Sequence, residues 1–248
     1  MKTRKNIYRK SGIKISLIII VLAFVFPVFS QKKEIDSTFG ILHNHLKEDS
    51  VRVNALIHLS SLFQGTNLKN AEYLGKEALY ISEKLNDPLL TAMSQIQLGS
   101  VYTWAYKTSD ALAIYLKALA IAKQINAEDQ LQDAYNGIAY VYELENDWGQ
   151  SLNYSLQSLA LAEKRNNQQR MSFSFHGLGS AYLGLGKDSD AELYLNKART
   201  LFLKNKNLDR LGDCSLDLAE VYVNRNAFDT AKHYFDTAVV IFTQLEEP

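Results

Sequence analysis

The sequence predicts an all-α fold, a right-handed α-α superhelix (solenoid) of about five stacked helix hairpins, and three observations carry that reading. First, from Thr91 onward the chain returns to one pattern every 40 residues without a gap. In register from Thr91, Leu131, Met171 and Leu211, the eighth column reads Leu98, Ile138, Leu178, Leu218 and the ninth Gly99, Ala139, Gly179, Ala219, while the twelfth is Tyr102, Tyr142, Tyr182, Tyr222. Second, columns 8, 9 and 12 share one face of a first helix and columns 21, 24, 28 and 31 one face of a second, because i, i+3, i+4 and i+7 align at 3.6 residues per turn. Third, column 21 (Ala111, Ser151, Ala191, Ala231) and column 28 (Ala118, Ser158, Ala198, Ala238) are small, so two backbones can approach closely. The Tyr of column 12 and the Ile or Leu of column 31 are expected to fill the space between. One hairpin cannot bury both its faces, so neighbours must stack.

Taken in order, the chain begins with Lys2, Arg4, Lys5, Arg9, Lys10 and Lys14 and no acid, followed by an Ile15–Phe29 run that is apolar apart from Ser16. Val28-Phe29-Ser30 then precedes Gln31, which completes the three regions of a secretory signal peptide over 1–30, cleaved after Ser30. The apolar run is shorter than the ~20 residues of a spanning helix, and Pro27 interrupts its end. A membrane enters only if this segment stays uncleaved as an anchor. No Cys follows it, which argues against lipoprotein processing.

Residues 31–50 form a linker and an N-terminal capping helix, with Phe39, Leu42 and Leu46 at helical spacing to cover the first hairpin. His43 and His45 stand two apart and cannot share a helix face, so no metal site is read there. Residues 51–90 form a first repeat with Leu59, Phe63, Ala71, Ala78 and Ile81 in the repeating columns, one residue shorter between Phe63 and Ala71 than its successors. Repeats 91–130, 131–170, 171–210 and 211–248 follow, giving about eleven helices in all. Asn-rich breaks such as Glu145-Asn146-Asp147 and Arg165-Asn166-Asn167 supply turns and helix caps. The last hairpin places Tyr234, Phe235, Val239 and Phe242 on its second helix with no amphipathic helix after it, so an apolar patch of Tyr234, Val239 and Phe242 is expected, a candidate for self-association.

At these residues the chain resembles the tetratricopeptide repeat family, whose pattern runs L-G-x-x-Y and then Ala, an aromatic and Ala. Leu98-Gly99-x-x-Tyr102 with Ala111, Tyr115 and Ala118 matches, as does Leu178-Gly179-x-x-Tyr182 with Ala191 and Ala198. The usual unit is about 34 residues, so the resemblance is to a long variant, and the closing Pro of the family occurs only at Pro88. HEAT repeats share the period but lack these columns.

Charge and motifs bound the function. The whole chain carries 27 basic and 27 acidic residues; losing the six basic ones of the leader leaves 21 against 27, an acidic product of net −6. That argues against nucleic acid or an anionic membrane as partner. Cys214 is the single cysteine, so no intrachain disulfide forms, and a small buried role is expected of it. Gly184-Leu185-Gly186-Lys187-Asp188 has the look of a phosphate loop, but Ala181 stands where its first Gly belongs and Asp188 where Ser or Thr belongs. It is a hairpin turn. There is no G-x-S-x-G, H-E-x-x-H or Cys pair, so no catalytic residue, metal or cofactor is assigned and the chain is read as no enzyme.

The resemblance implies that first helices line a concave face and that columns 3, 6, 10 and 13 point inward. These hold Met93, Ile96, Ser100 and Thr103; Asp133, Asn136, Tyr140 and Glu143; Phe173, His176, Ser180 and Leu183; Asp213, Leu216, Glu220 and Val223, with Trp104 at the rim. No Lys or Arg occupies them, so the inward Lys by which family members clamp a peptide carboxylate is lacking. Aromatic side chains with four carboxylates suit an extended or helical protein segment bearing basic and apolar residues. The reading is a noncatalytic exported scaffold, periplasmic or extracellular. A second reading follows from the same resemblance: the periplasmic sensory input region of a bacterial sensor histidine kinase or transcriptional regulator, whose output part is missing or separate.

Overall fold

The computed structural model describes residues 33–246, so the leader and its cleavage position lie outside the described residues. Eleven helices and no strand occur among them. A leading helix α1 covers 33–44. It is followed by α2 Ser50–Phe63, α3 Leu68–Lys84, α4 Pro88–Trp104, α5 Thr108–Gln124, α6 Glu128–Leu144, α7 Trp148–Lys164, α8 Gln168–Gly184, α9 Asp188–Lys204, α10 Leu208–Asn224 and α11 Phe228–Glu246. From α3 to α10 every helix has 17 residues, and each link from α3 onward has three. The 40-residue period is two helices of nearly equal length.

The links explain that regularity. In each, the middle residue adopts positive φ: Asn86, Tyr106, Asn126, Asn146, Asn166, Gly186, Lys206 and Asn226. Asn is among the few non-glycine residues that enter this region readily, and it holds five of the eight places. The residue after it donates its backbone N–H to the carbonyl five residues back, as in Asp147 N to Tyr142 O at 2.8 Å and Asn167 N to Ala162 O at 3.0 Å. That bond satisfies a carbonyl the helix end leaves open. Asp87, Asp147, Asn167 and Asn207 then accept from the first turn of the next helix with their side chains. Each link therefore ends one helix and starts the next within three residues.

Packing follows the columns with one shift. Leu98, Ile138, Leu178 and Leu218 are buried, as are the small columns 21 and 28. On the second helices, however, the buried stripe includes Tyr115, Ser155 and Leu195 and then Ala122, Ala162 and Phe202, one position beyond the expected columns 24 and 31. Ile121, Leu161 and Leu201 stay half-buried. The reason is that a second helix must face both its own partner and the next first helix, which turns its buried stripe toward the following hairpin. The column-12 tyrosines are half-buried rather than central. They stack on column-24 tyrosines, Tyr142 on Tyr154 at 5.8 Å, Tyr182 on Tyr194 at 5.5 Å and Tyr222 on Tyr234 at 5.4 Å between ring centroids.

Tyr115 shows how tightly the hairpins close. Its ring lies where a Cβ at Gly99 or Gly137 would sit, 2.9 Å and 2.4 Å away respectively, so both glycines make room for one aromatic side chain. The leading segment differs from expectation too. Leu46 lies past the end of α1 and is exposed, while Ile35, Thr38 and Leu42 provide the inward face. Phe39, itself half-exposed, meets Phe63 edge-on at 6.2 Å.

Candidate interaction groove

Successive first helices touch one another, α2 with α4, α4 with α6, α6 with α8 and α8 with α10, whereas second helices do not pair among themselves in the described residues. The first helices are therefore the inner row of a curved stack, and the second helices fan out behind it.

The inner row treats the predicted residues unequally. Met93 and Ile96 are half-buried and pack into the hydrophobic clusters beside them, and Phe173 packs edge-on against Phe202 at 5.5 Å. Thr103 is buried and spends its hydroxyl on the Gly99 carbonyl at 2.8 Å, which removes it from the groove. Ser100 accepts from Gln64 at 2.7 Å. Trp104 and Tyr140 remain exposed, at 56% and 49%, which leaves area for a partner. Leu216, Glu220 and Val223 are also exposed, and Leu183 is half-buried.

The groove is less acidic than its columns suggest. Arg170, placed just before the repeat frame, reaches Asp133 at 2.6 Å and Asp129 at 3.2 Å, and Arg210 reaches Asp213 at 3.2 Å. Two of the four expected carboxylates are thus paired within the chain. Asp133, Asn136, Arg170 and Phe173, with Asn167 and Gln169, line a cleft of about 270 Å³ between α6 and α8. The signal is present in the sequence, since Arg170 stands three residues before Phe173 and so shares its helix face.

A second cluster spans three hairpins. Asp217 on α10 lies 3.1 Å from Nε2 of His176 on α8 and accepts from the Ser180 hydroxyl at 2.8 Å. Burial opposes charge on both partners, but each stabilises the other: the Asp217 carboxyl is held below its ordinary range and the His176 imidazole above its own. Glu143 on α6 faces this pair. Burial, then repulsion from Asp217, pushes its carboxyl up to about 7, against the pull of His176 and Arg210. The Glu143 carboxyl forms no hydrogen bond or ion pair among the described residues. Asp217 falls outside the inner columns, although it stands four residues after Asp213 on the same helix face.

Outside the groove, Cys214 is buried and donates to the Leu195 carbonyl at 3.1 Å, and burial pushes its thiol up, away from reactivity. The terminal patch has a different membership from that expected. Tyr234 is stacked on Tyr222, and the Phe242 ring is half-buried against Gly212; the exposed apolar residues of α11 are Phe228, Phe235, Val239 and Val240. No helix among the described residues is long and apolar enough to cross a membrane.

Residues 91–130 and 130–204 match family models described as the tetratricopeptide repeat. No curated protein sequence matches the chain. Among solved structures it is similar to BtubC (BKLC) from P. vanneervenii, at TM-score 0.63 and 20% identity over 90% of this chain and 92% of that one. It is also similar to the TPR-like repeats of a putative kinesin light chain of Podosopora anserina, at TM-score 0.59 and 16% identity over 77% and 94%. A Rap protein complexed with Competence and Sporulation Factor matches at TM-score 0.68 and 17% identity over 77% of this chain and 55% of that one. At these identities the likenesses show the fold.

Proposed function

We propose that this tetratricopeptide-repeat protein is a noncatalytic exported scaffold that binds a protein or peptide segment along the inner row of its first helices. The observation that carries the proposal is the exposure of Tyr140 and Trp104 on that row, with the Glu143 carboxyl one turn after Tyr140 and without a hydrogen-bond or ion-pair partner among the described residues. Large aromatics supply contact area and rigid anchoring at interfaces, and an unpaired carboxylate selects a partner with basic character. A similar fold occurs in the Rap protein complexed with Competence and Sporulation Factor, which supports partner binding by an array of this kind. Export rests on the leader read in residues 1–30. The test is capture: the chain starting at Gln31, immobilised, should retain a partner from a periplasmic extract in a salt-sensitive manner, and Tyr140→Ala should reduce that retention several-fold. Equal retention by both proteins overturns the groove reading. Mass spectrometry of the exported product should find Gln31 at its N-terminus, and a product retaining Met1 overturns cleavage.

A further inference from the structure

We infer that the hairpin of α10 and α11 is an interface for a second copy of this chain, which packs on it face to face about a two-fold axis.

The argument is one of equivalent positions. The chain builds the same interface again and again, where α3, α5, α7 and α9 meet the first helix of the following hairpin. Column 25 enters it each time: the Tyr115 ring lies against Gly137 of the next hairpin, the Ser155 hydroxyl lies against Gly177, and the Leu195 carbonyl accepts from the Cys214 thiol. These three residues are 4%, 1% and 0% exposed, but their equivalent on α11, Phe235, is 54% exposed. One turn further on, Val239 is exposed where Leu119 and Leu159 are buried. The first helices show the same change. Column 6 meets the following first helix, as His176 on α8 meets Asp217 on α10 at 3.1 Å and Ile96 on α4 packs into the cluster that α5 shares with α6. Its member on α10, Leu216, is exposed, and so is Val223 two turns later. Both helices therefore present, uncovered among the described residues, the face that the three preceding hairpins bury. A further packing helix pair is the kind of surface that this face fits.

Size and charge point to a second copy. A face of two helices, about 26 Å long and about 20 Å wide, has the scale of specific dimer interfaces, which bury about 800 Å² per partner. The apolar stripe of Phe228, Phe235 and Val239 is interrupted by one cation, Lys232, which pairs with Asp236 at 2.5 Å. One charge of each sign makes the face complementary to itself: under a two-fold axis, Lys232 of each copy lies against Asp236 of the partner subunit. A strongly acidic or basic partner finds no net charge there to meet. The pairing closes at two copies, because each face is consumed by its equal. Two copies joined in this way carry two inner rows, so a partner with repeated segments gains from binding both at once.

The test is the mass of the mature chain in solution, by light scattering over a concentration series. The expected species has twice the chain mass at micromolar concentration. Phe235→Asp, a change at an exposed position, should leave the helix content by circular dichroism unchanged and weaken pairing about 30-fold or more. Asp236→Lys should weaken it too, by setting lysines of the two copies against each other, and adding Lys232→Asp should restore it. Tyr140→Ala, on the inner row, should leave the mass unchanged, which separates this interface from the groove. A wild-type chain that stays monomeric to its solubility limit, a dimer that Phe235→Asp leaves intact, or a double charge swap that fails to restore pairing overturns the inference. Growth beyond two copies, the mark of a head-to-tail contact, overturns it as well.

Discussion

Replacing Glu143 by Gln should stabilise the protein, and only at neutral to alkaline pH. The Glu143 carboxyl moves from an ordinary 4.5 to about 7 on folding, because burial and the Asp217 charge disfavour its ionised form. A tenfold change in proton affinity corresponds to about 1.4 kcal/mol, so the ceiling is about 3 kcal/mol; solvent reaching the groove reduces the expected value to about 1–2 kcal/mol. The direction follows from proton binding. The folded chain holds this proton more tightly than the unfolded chain, so wild-type stability is unaffected below about pH 4.5, falls as pH rises toward 7, and bears the full penalty above it. Gln carries no charge and escapes the loss. His176, raised above its ordinary value in part by Glu143, contributes stability at low pH that fades as pH rises through its folded value, and loses some of that rise in the variant. Urea unfolding at pH 5 and at pH 8, with slopes compared to check for a common unfolded state, should give nearly equal stabilities at pH 5 and a gain for the variant at pH 8. A variant no more stable than wild type at pH 8, or equally more stable at both, would refute the placement of an unpaired carboxylate beside Asp217.

The remaining predictions concern the fold. Gly137→Ala places a methyl 2.4 Å from the buried Tyr115 ring and should destabilise by about 1–3 kcal/mol; a thermal midpoint equal to wild type contradicts that contact. Lys206, at φ 56, occupies a left-handed position where glycine carries no steric penalty, so Lys206→Gly should stabilise by about 0.5–1 kcal/mol, with a lowered midpoint counting against the link geometry. Tyr142→Ala removes a half-buried ring stacked on Tyr154 at 5.8 Å, and its loss should come to about 1–2 kcal/mol rather than the 3–5 of a fully buried aromatic. Ala198→Glu, at a position with no exposed surface, should abolish cooperative unfolding, because the carboxylate has no partner there; a normal urea transition would show that the interior is looser than described.

The repeat itself is written in the chain. Helix identity, hairpin pairing and the small columns at Ala111, Ala118, Ala191 and Ala198 depend on spacing within 40 residues, and the Asn at five of the eight links announces its own left-handed turn. Those are local properties, fixed by backbone sterics and by the 3.6-residue turn. The second-helix stripe departs from its expected columns by one position because its orientation is set by the following hairpin, which a single repeat does not contain. The groove is legible only in outline. Tyr140, Glu143 and His176 fall in the inner columns that the family resemblance implies, but the pairing of Asp133 with Arg170, 37 residues away, and the meeting of Glu143, His176 and Asp217 from three different hairpins depend on how far each hairpin is rotated and raised over the last. That offset is decided by side-chain packing between repeats. It determines which charges are neutralised, and so the tertiary structure alone reveals that Asp133 and Asp213 are paired within the chain while Glu143 and Glu220 are not.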